Sequence, residues 1–288
     1  MDGIIVINKP QGCTSHDIVY KVKKIYGEKV GHTGTLDPNA TGVLPILIGN
    51  GTKLSKYLIN HDKTYIATIQ LGIKTDSADS EGNQIENKPV LQNIYDEDFI
   101  KNTLKDFQGK QIQTPPIYSA IKVKGKKLYQ YARSGQEVEI PKREINIYKI
   151  NVIEINKCNN QIVIEVECSK GTYIRSLCEN IAEKLGTVGY MKDLIRTKVG
   201  DFKIEQSVRV EELSTEEEFL NEHLITIEKL LKNNDNIILD KNEINKFLNG
   251  VKLERKLSNG IYKIYDESNR FIGTGIIEEE KLKRDICQ

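Results

Sequence analysis

Asp37 is the carboxylate of this 288-residue chain with the most chemically suggestive surroundings. It lies within residues 31–49, which read GHTGTLDPNATGVLPILIG. The first half of the stretch is polar and rich in glycine. The second half, residues 43–48, is almost wholly apolar and is expected to run into a core. A carboxylate in a tight loop anchored on packed structure is a common seat of chemistry. The stretch has no G-x-x-x-x-G-K-[ST] pattern and no G-x-G-x-x-G after a strand, so it is not a phosphate-cradling loop. A metal held by His32 and Asp37 would need further ligands at suitable spacing, and none follow nearby. A glycosidase would need a second carboxylate. Asp76 and Asp79 are available, but in a separate hydrophilic loop, and their D-x-x-D-x-E-G spacing is not that of a calcium-binding EF-hand. On local features alone, a reactive Asp37 and a plain Asp-Pro turn are equally good readings, since aspartate often bonds its own backbone in turns.

The bulk of the sequence narrows the setting. Hydrophobic residues make up 38% and charged residues 29%, within the globular range. No apolar run is long enough to span a bilayer, and MDGIIVINKP has an acid at position 2 and too short an apolar run for a signal peptide. The five cysteines (Cys13, Cys158, Cys168, Cys178 and Cys287) are odd in number and never spaced C-x-x-C. That argues against a disulfide framework or a zinc site and fits a reducing cytoplasm. The net charge of +1 hides an asymmetry: residues 211–288 hold 12 Lys/Arg and 17 Asp/Glu, whereas residues 1–210 hold 30 and 24. Residues 121–133, IKVKGKKLYQYAR, carry Lys122, Lys124, Lys126, Lys127 and Arg133 with no acid, and Tyr129 and Tyr131 lie among them. Such a run can bind a nucleic-acid backbone and stack on bases, or can simply be a solvated helix face.

The elements that must position these groups follow from periodicity. Residues 3–7 predict a strand, closed by the turn around Pro10 and Gly12. Ser15 is expected to cap a helix whose stripe is Ile18, Val19, Val22, Ile25 and Tyr26, with Gly27 at its end. Residues 52–59 predict a short helix and residues 64–71 (TYIATIQL) an alternating strand with Tyr65 near its start. Residues 72–84 read as a polar loop and residues 96–107 as an amphipathic helix. Pro115-Pro116 forces an extended segment over residues 111–120, and residues 126–133 read as helical. Residues 144–155 and 161–168 predict a hairpin. Residues 172–185 predict a helix with Ile174, Leu177, Cys178, Ile181, Ala182 and Leu185 on one face, Tyr173 and Arg175 lying off that stripe in its first turn. A strand is expected over residues 194–202, an acidic helix over 211–222, a linker over 233–236, a helix over 241–248 and β-strands at 260–265 and 270–277. The mixture of hairpins and long crossovers predicts an α+β fold with a mixed, largely antiparallel sheet flanked by helices. The expected domains are residues 1–230 and a small β-rich unit over residues 235–288.

The 31–49 stretch resembles the active-site motif of the TruB-type pseudouridine synthases. Four further blocks stand in that family's order: GIIVINKPQGCTSHDIV, KTYIATIQLGIKTDSADSEG, QTPPIYSAIKVKGKKLYQYARSG and CSKGTYIRSLCENIAEKLG. Together they cover most of residues 3–200, and the tail resembles the small PUA-like RNA-binding domain of bacterial members. The resemblance implies a pseudouridine-synthase catalytic domain that isomerises uridine 55 in the T-loop of tRNA. The reaction breaks the N1–C1′ bond, turns the uracil and rejoins it at C5. Nothing is oxidised and no second substrate donates a group, so no cofactor and no metal are expected. The target base must leave the stack to be reached.

By the same resemblance Asp37 is the nucleophile, Tyr65 stacks on the flipped uracil and helps remove the C5 proton, and Arg175 pairs with Asp37. Tyr173 and Leu194 would line the pocket, His32 would contact the opened RNA loop, and Lys9 would be a substrate or framework contact. The residues at 122–133 named above become candidates for the RNA backbone. The implied partner is the tRNA T-arm, with no membrane and no protein partner, and a cytoplasmic monomer is expected. In residues 189–196, GYMKDLIR, Tyr190 stands where relatives carry a histidine and Ile195 where they carry an arginine. These departures bear on RNA contact rather than on the chemistry. A non-catalytic RNA-binding or RNA-chaperone protein on the same fold is the alternative from another class.

Overall fold

The computed structural model describes residues 1–59 and 61–287. A ten-stranded sheet carries the body. Its main strands in chain order are β1 (Gly3–Lys9), β2 (Thr41–Ile48), β3 (Lys63–Leu71), β4 (Gly109–Gln113), β5 (Arg143–Asn156), β6 (Gln161–Cys168) and β7 (Gly189–Val199). Across the sheet they run Ile225–Thr226, β1, β2, β7, β3, β6, β5, β4. All of these pairings are antiparallel except β7 on β2, which is parallel through Ile195 with Thr41 and Arg196 with Gly42. The mixed, largely antiparallel α+β class read from the sequence is the one observed.

Both faces of the β1–β2 pair are apolar, so each needs a cover. Ile5, Ile7, Leu44 and Ile46 face helix α1 (Ser15–Tyr26) through Ile18 and Val22. All six are fully buried, and each contributes about 1.5–3 kcal/mol by leaving water. Ile4, Val6, Val43 and Leu47 face the other way, onto Leu54, Leu58, Val199 and Phe202. In the other half of the sheet, the inward residues of β3, β5 and β6 pack against α2 (Glu97–Lys105) and α4 (Ile174–Lys184). Among the described residues no helix is long and apolar enough to cross a membrane.

Several boundaries differ from the sequence reading, for local reasons. Thr14, not Ser15, caps α1 in a reciprocal box with Asp17. The polar loop after β3 folds back as a small hairpin, Ile73–Thr75 with Gln84–Asn87. Lys126–Lys127 pairs with Lys122–Val123, so the helix α3 covers only Leu128–Arg133. The strand expected from residue 194 begins at Gly189. A bulge between Met191 and Asp193 breaks the alternation that would have marked it. The acidic stretch divides into a 3₁₀ turn, Val210–Glu212, and a helix, Glu217–His223. A separate five-stranded sheet is formed by Asn236–Leu239, Leu253–Glu254, Gly260–Asp266, Phe271–Glu278 and Lys281–Cys287, with α5 (Lys241–Leu248) alongside.

Candidate active site

The loop that carries Asp37 is tied down almost residue by residue. The Arg196 guanidinium donates to the carbonyls of Val43 (2.8 Å), Gly34 (3.0 Å) and Thr35 (3.3 Å). Ser15 Oγ accepts the Leu36 N–H at 2.8 Å and reaches the Leu36 carbonyl at 3.2 Å. The Pro38 carbonyl accepts from Lys9 Nζ at 3.0 Å and from the Gly12 N–H at 3.0 Å. A turn closes where the Ala40 N–H donates to the Asp37 carbonyl at 3.1 Å. With the loop backbone thus tied to the scaffold, the Asp37 side chain is 42% exposed and faces the cavity.

Tyr65 reaches the same cavity from β3. Residues 63, 65, 67, 69 and 71 form the buried face of that strand, so alternation delivers the ring inward. Burial pushes the Tyr65 phenol above its ordinary value, and the Arg196 guanidinium beside it pulls the other way. The bulge in β7 turns Leu194 and Arg196 inward alongside Met191, and all three line the cavity.

Arg175 comes from the first turn of α4, whose start is held from outside. Tyr173 occupies the N-cap position without a side-chain cap bond of its own. Gln113 at the end of β4 replaces it, accepting the Tyr173 N–H at 2.8 Å and donating to the Tyr173 carbonyl at 3.0 Å. Ser176 Oγ adds a bond to the Thr114 carbonyl. Arg175, expected off the apolar stripe, is only 6% exposed. Its Nε lies 3.1 Å from Asp37 Oδ2, and its Nη1 lies 3.2 Å from Asp79 Oδ2. The same guanidinium donates to the carbonyls of Tyr118 (2.9 Å) and Ser77 (3.3 Å). Asp79 is in turn fixed by Ser77 Oγ at 2.5 Å and the Glu81 N–H at 3.1 Å. The planar fork of an arginine suits this four-way grip, which a lysine could not reproduce.

The cavity enclosed by these groups measures about 1140 Å³. Asp37, Tyr65, Tyr173, Arg175 and Leu194 all line it, as do Tyr129 and Arg133 of the basic stretch. Lys122, Lys124 and Lys126 stand exposed. Lys126 lies over the Tyr131 ring at 5.8 Å, and Lys127 and Arg133 over Tyr129 at 5.5 Å. His32 is half-buried, and its Nδ1 accepts the Gly34 N–H at 3.2 Å. Burial, with Arg196 nearby, holds its imidazole below the ordinary value. Lys9, expected as a substrate or framework contact, is fully buried and spends its ammonium on three carbonyls, those of Cys13, Pro10 and Pro38. It is a framework cation under the Asp37 loop. The sequence reading missed Ser15, Asp79 and Arg196 as site-building residues. The signal for Asp79 was present in the SADSEG block, whereas Arg196 lies among Lys192, Asp193 and Lys198 in a strand whose alternation the bulge breaks, and had no local signal.

The comparisons with known proteins agree along the whole chain. Residues 21–174 match the TruB family pseudouridylate synthase N-terminal domain, residues 175–232 the tRNA pseudouridylate synthase B C-terminal domain, and residues 236–283 the Pseudouridine synthase II TruB C-terminal domain. A tRNA pseudouridine synthase B of Caldanaerobacter subterraneus subsp. tengcongensis is 43% identical over 286 residues, 98% of each protein. One of Bacillus pumilus is 46% identical over 251 residues, 85% of this chain and 79% of that protein. Among solved structures, one in a crystal structure of a Cbf5-Nop10-Gar1 complex superposes with a TM-score of 0.68 at 26% identity, over 99% of this chain and 83% of its own. Shared sequence along nearly the full length of its relatives, on a shared fold, makes this chain a member of the TruB family of pseudouridine synthases.

Proposed function

We propose that the chain isomerises uridine 55 in the T-loop of tRNA to pseudouridine, with Asp37 as nucleophile and the target base flipped into the cavity. The observation that carries this reading is convergence. Asp37 from a loop, Tyr65 from a strand and Arg175 from a helix, far apart in the chain, line one cavity large enough for a nucleotide. In this reading Tyr65 stacks on the uracil and takes part in removing the C5 proton. Arg175 holds Asp37 ionised and aimed, and Asp79 braces Arg175 from behind. Tyr173 and Leu194 pack around the base, and His32 meets the opened loop. Lys122, Lys124, Lys126, Lys127 and Arg133 serve the RNA backbone, with Tyr129 and Arg133 at the cavity wall.

Residues 1–230 form the catalytic unit and residues 235–288 a PUA-like RNA-binding unit, a division supported by their separate sheets. The enzyme acts as a monomer in the cytoplasm and draws on no cofactor. The test is tritium release from tRNA labelled at uridine C5. Wild type is expected to release it from the T-loop uridine and Asp37→Asn to lose release by several orders of magnitude. Wild-type-like release by the variant would sink the mechanism, and no release by the intact protein would sink the function.

A further inference from the structure

Lys63 is a buried cation that the mechanism above leaves unused. It opens β3 and shares the inward face of that strand with Tyr65, two residues on. A strand advances about 3.3 Å per residue, so the two side chains enter the cavity as neighbours. Lys63 is 9% exposed, yet its ammonium makes one hydrogen bond, to the His61 carbonyl at 2.5 Å, and no carboxylate of the described residues stands within ion-pair range. Arg196 and Lys170 bring positive charge to it, opposed in part by Asp62. A Cβ added to Gly34 would lie 3.7 Å from both Lys63 Cε and Arg196 Nη1, so the lysine stem and the guanidinium both approach the loop at Gly34. Lys170 and Arg143 line the same cavity, with Arg143 Nη1 3.7 Å from where a Gly171 side chain would begin. Burial first, and then the charge of Arg196, push the Lys63 ammonium below its ordinary value, with Cys168 and Asp62 pulling the other way. Burying an uncompensated charge among like charges is costly, and a negative ligand relieves that cost. A nucleotide whose base rests on Tyr65 brings one such charge with it, the phosphodiester beside the target sugar. A neutral uracil carbonyl would not offset this cluster of cations; a fixed anion does.

We propose that Lys63 binds the phosphodiester flanking the target uridine and so anchors the flipped nucleotide by its backbone. This rests on the isomerase reading above. A contact kept equally in ground and transition states acts on KM rather than kcat.

The test uses the full chain and a T-arm stem-loop RNA tritiated at C5 of the target. In two further RNAs, the phosphate 5′ or 3′ of that uridine is replaced by a neutral methylphosphonate. For wild type, one of the two replacements is expected to raise KM about tenfold or more, as for a lost charge-assisted bond. Lys63→Met is expected to raise KM on the unmodified RNA by a similar factor. It should lose nothing further on that methylphosphonate RNA, and its log–log salt dependence should flatten by about 0.7–0.9. Lys63→Arg should restore the salt dependence. The proposal is overturned if neither methylphosphonate affects wild type, an arm that does not depend on the variant folding. It is also overturned if the losses from variant and methylphosphonate add, or if Lys63→Met lowers kcat at unchanged KM, which would mark a contact to the uracil. Absence of release by wild type from the unmodified RNA defeats the isomerase reading itself, and this proposal with it.

Discussion

Arg175 answers to two carboxylates at once, one exposed to the cavity and one behind it. Asp79→Asn keeps the shape but replaces an acceptor by an amide that can turn its N–H groups on the guanidinium. A misplacement of the order of 1 Å can cost about a hundredfold in rate, so turnover is expected to fall tenfold to a hundredfold, read in single-turnover tritium release. Arg175→Lys should do worse, because the Tyr118 and Ser77 carbonyls lose their partner as well, at about 1–3 kcal/mol for each buried acceptor left bare. His32 gives a pH signature. Its folded-state value lies below the ordinary 6.5, with burial the main cause, so the fold favours neutral imidazole. That preference stabilises the protein fully above pH 6.5 and is lost as the pH falls through the lower folded value. The melting temperature of wild type minus that of His32→Gln should therefore be flat above pH 6.5 and decline below it; a flat difference down to pH 5 would contradict this. At this scale the meeting of Asp37, Tyr65 and Arg175 at one cavity was legible in the sequence through their motif blocks. The fate of Lys9 was not, because a lysine written next to Pro10 reads the same whether its ammonium ends in solvent or under three carbonyls.

Two glycines set the geometry of whole elements. Gly42 has φ +101°, and a Cβ there would sit 2.2 Å from the Arg196 carbonyl. It is the point where β2 and β7 run side by side, so Gly42→Ala must push the strands apart and drag the Arg196 grip off Gly34, Thr35 and Val43. A loss of about 1–3 kcal/mol in stability is expected, together with a fall in turnover, measured by denaturant melts and tritium release. Gly171, at φ +80°, would bring a Cβ only into ordinary contact with Arg143 Nη1 at 3.7 Å, so its constraint is conformational rather than steric. Gly171→Val forces a β-branched residue into the left-handed region and should shift Tyr173 and Arg175; unchanged melting and turnover would contradict that. The elements with clean periodicity, such as α1 and β3, could be read directly. β7 could not be read to its start because its bulge interrupts the period, and that bulge is what aims Leu194 and Arg196 at the cavity.

On the scale of the molecule, the tail sheet is fastened to the body by the buried Asp285 carboxylate, by Tyr265 Oη donating to Glu228 at 2.7 Å, and by apolar packing. Asp285 accepts from Tyr57 Oη at 2.8 Å and Thr274 Oγ1 at 3.0 Å and pairs with Lys56. Ile286 and Phe271 pack with Leu54, Leu58 and Phe202 of the body. Asp285→Ala leaves Tyr57 without its acceptor and is expected to cost about 1.5–3 kcal/mol. It should free the tail for limited proteolysis while KM for tRNA rises more than KM for a T-arm stem-loop; equal KM changes would argue against a tail contribution to substrate binding. None of this joint was legible in the sequence, since it unites residues near 56 and 285 with no local pattern to pair them. The order of the sheet was equally hidden. β2 and β3 follow one another in the chain, but β7 lies between them. β3 is complete by residue 71 and β7 starts at residue 189. During synthesis the centre of the sheet therefore waits for a strand made much later, and with it the arginine that clamps the Asp37 loop. A ribosome-bound chain that ends before β7 holds every atom of Asp37 and Tyr65 and still has no formed site.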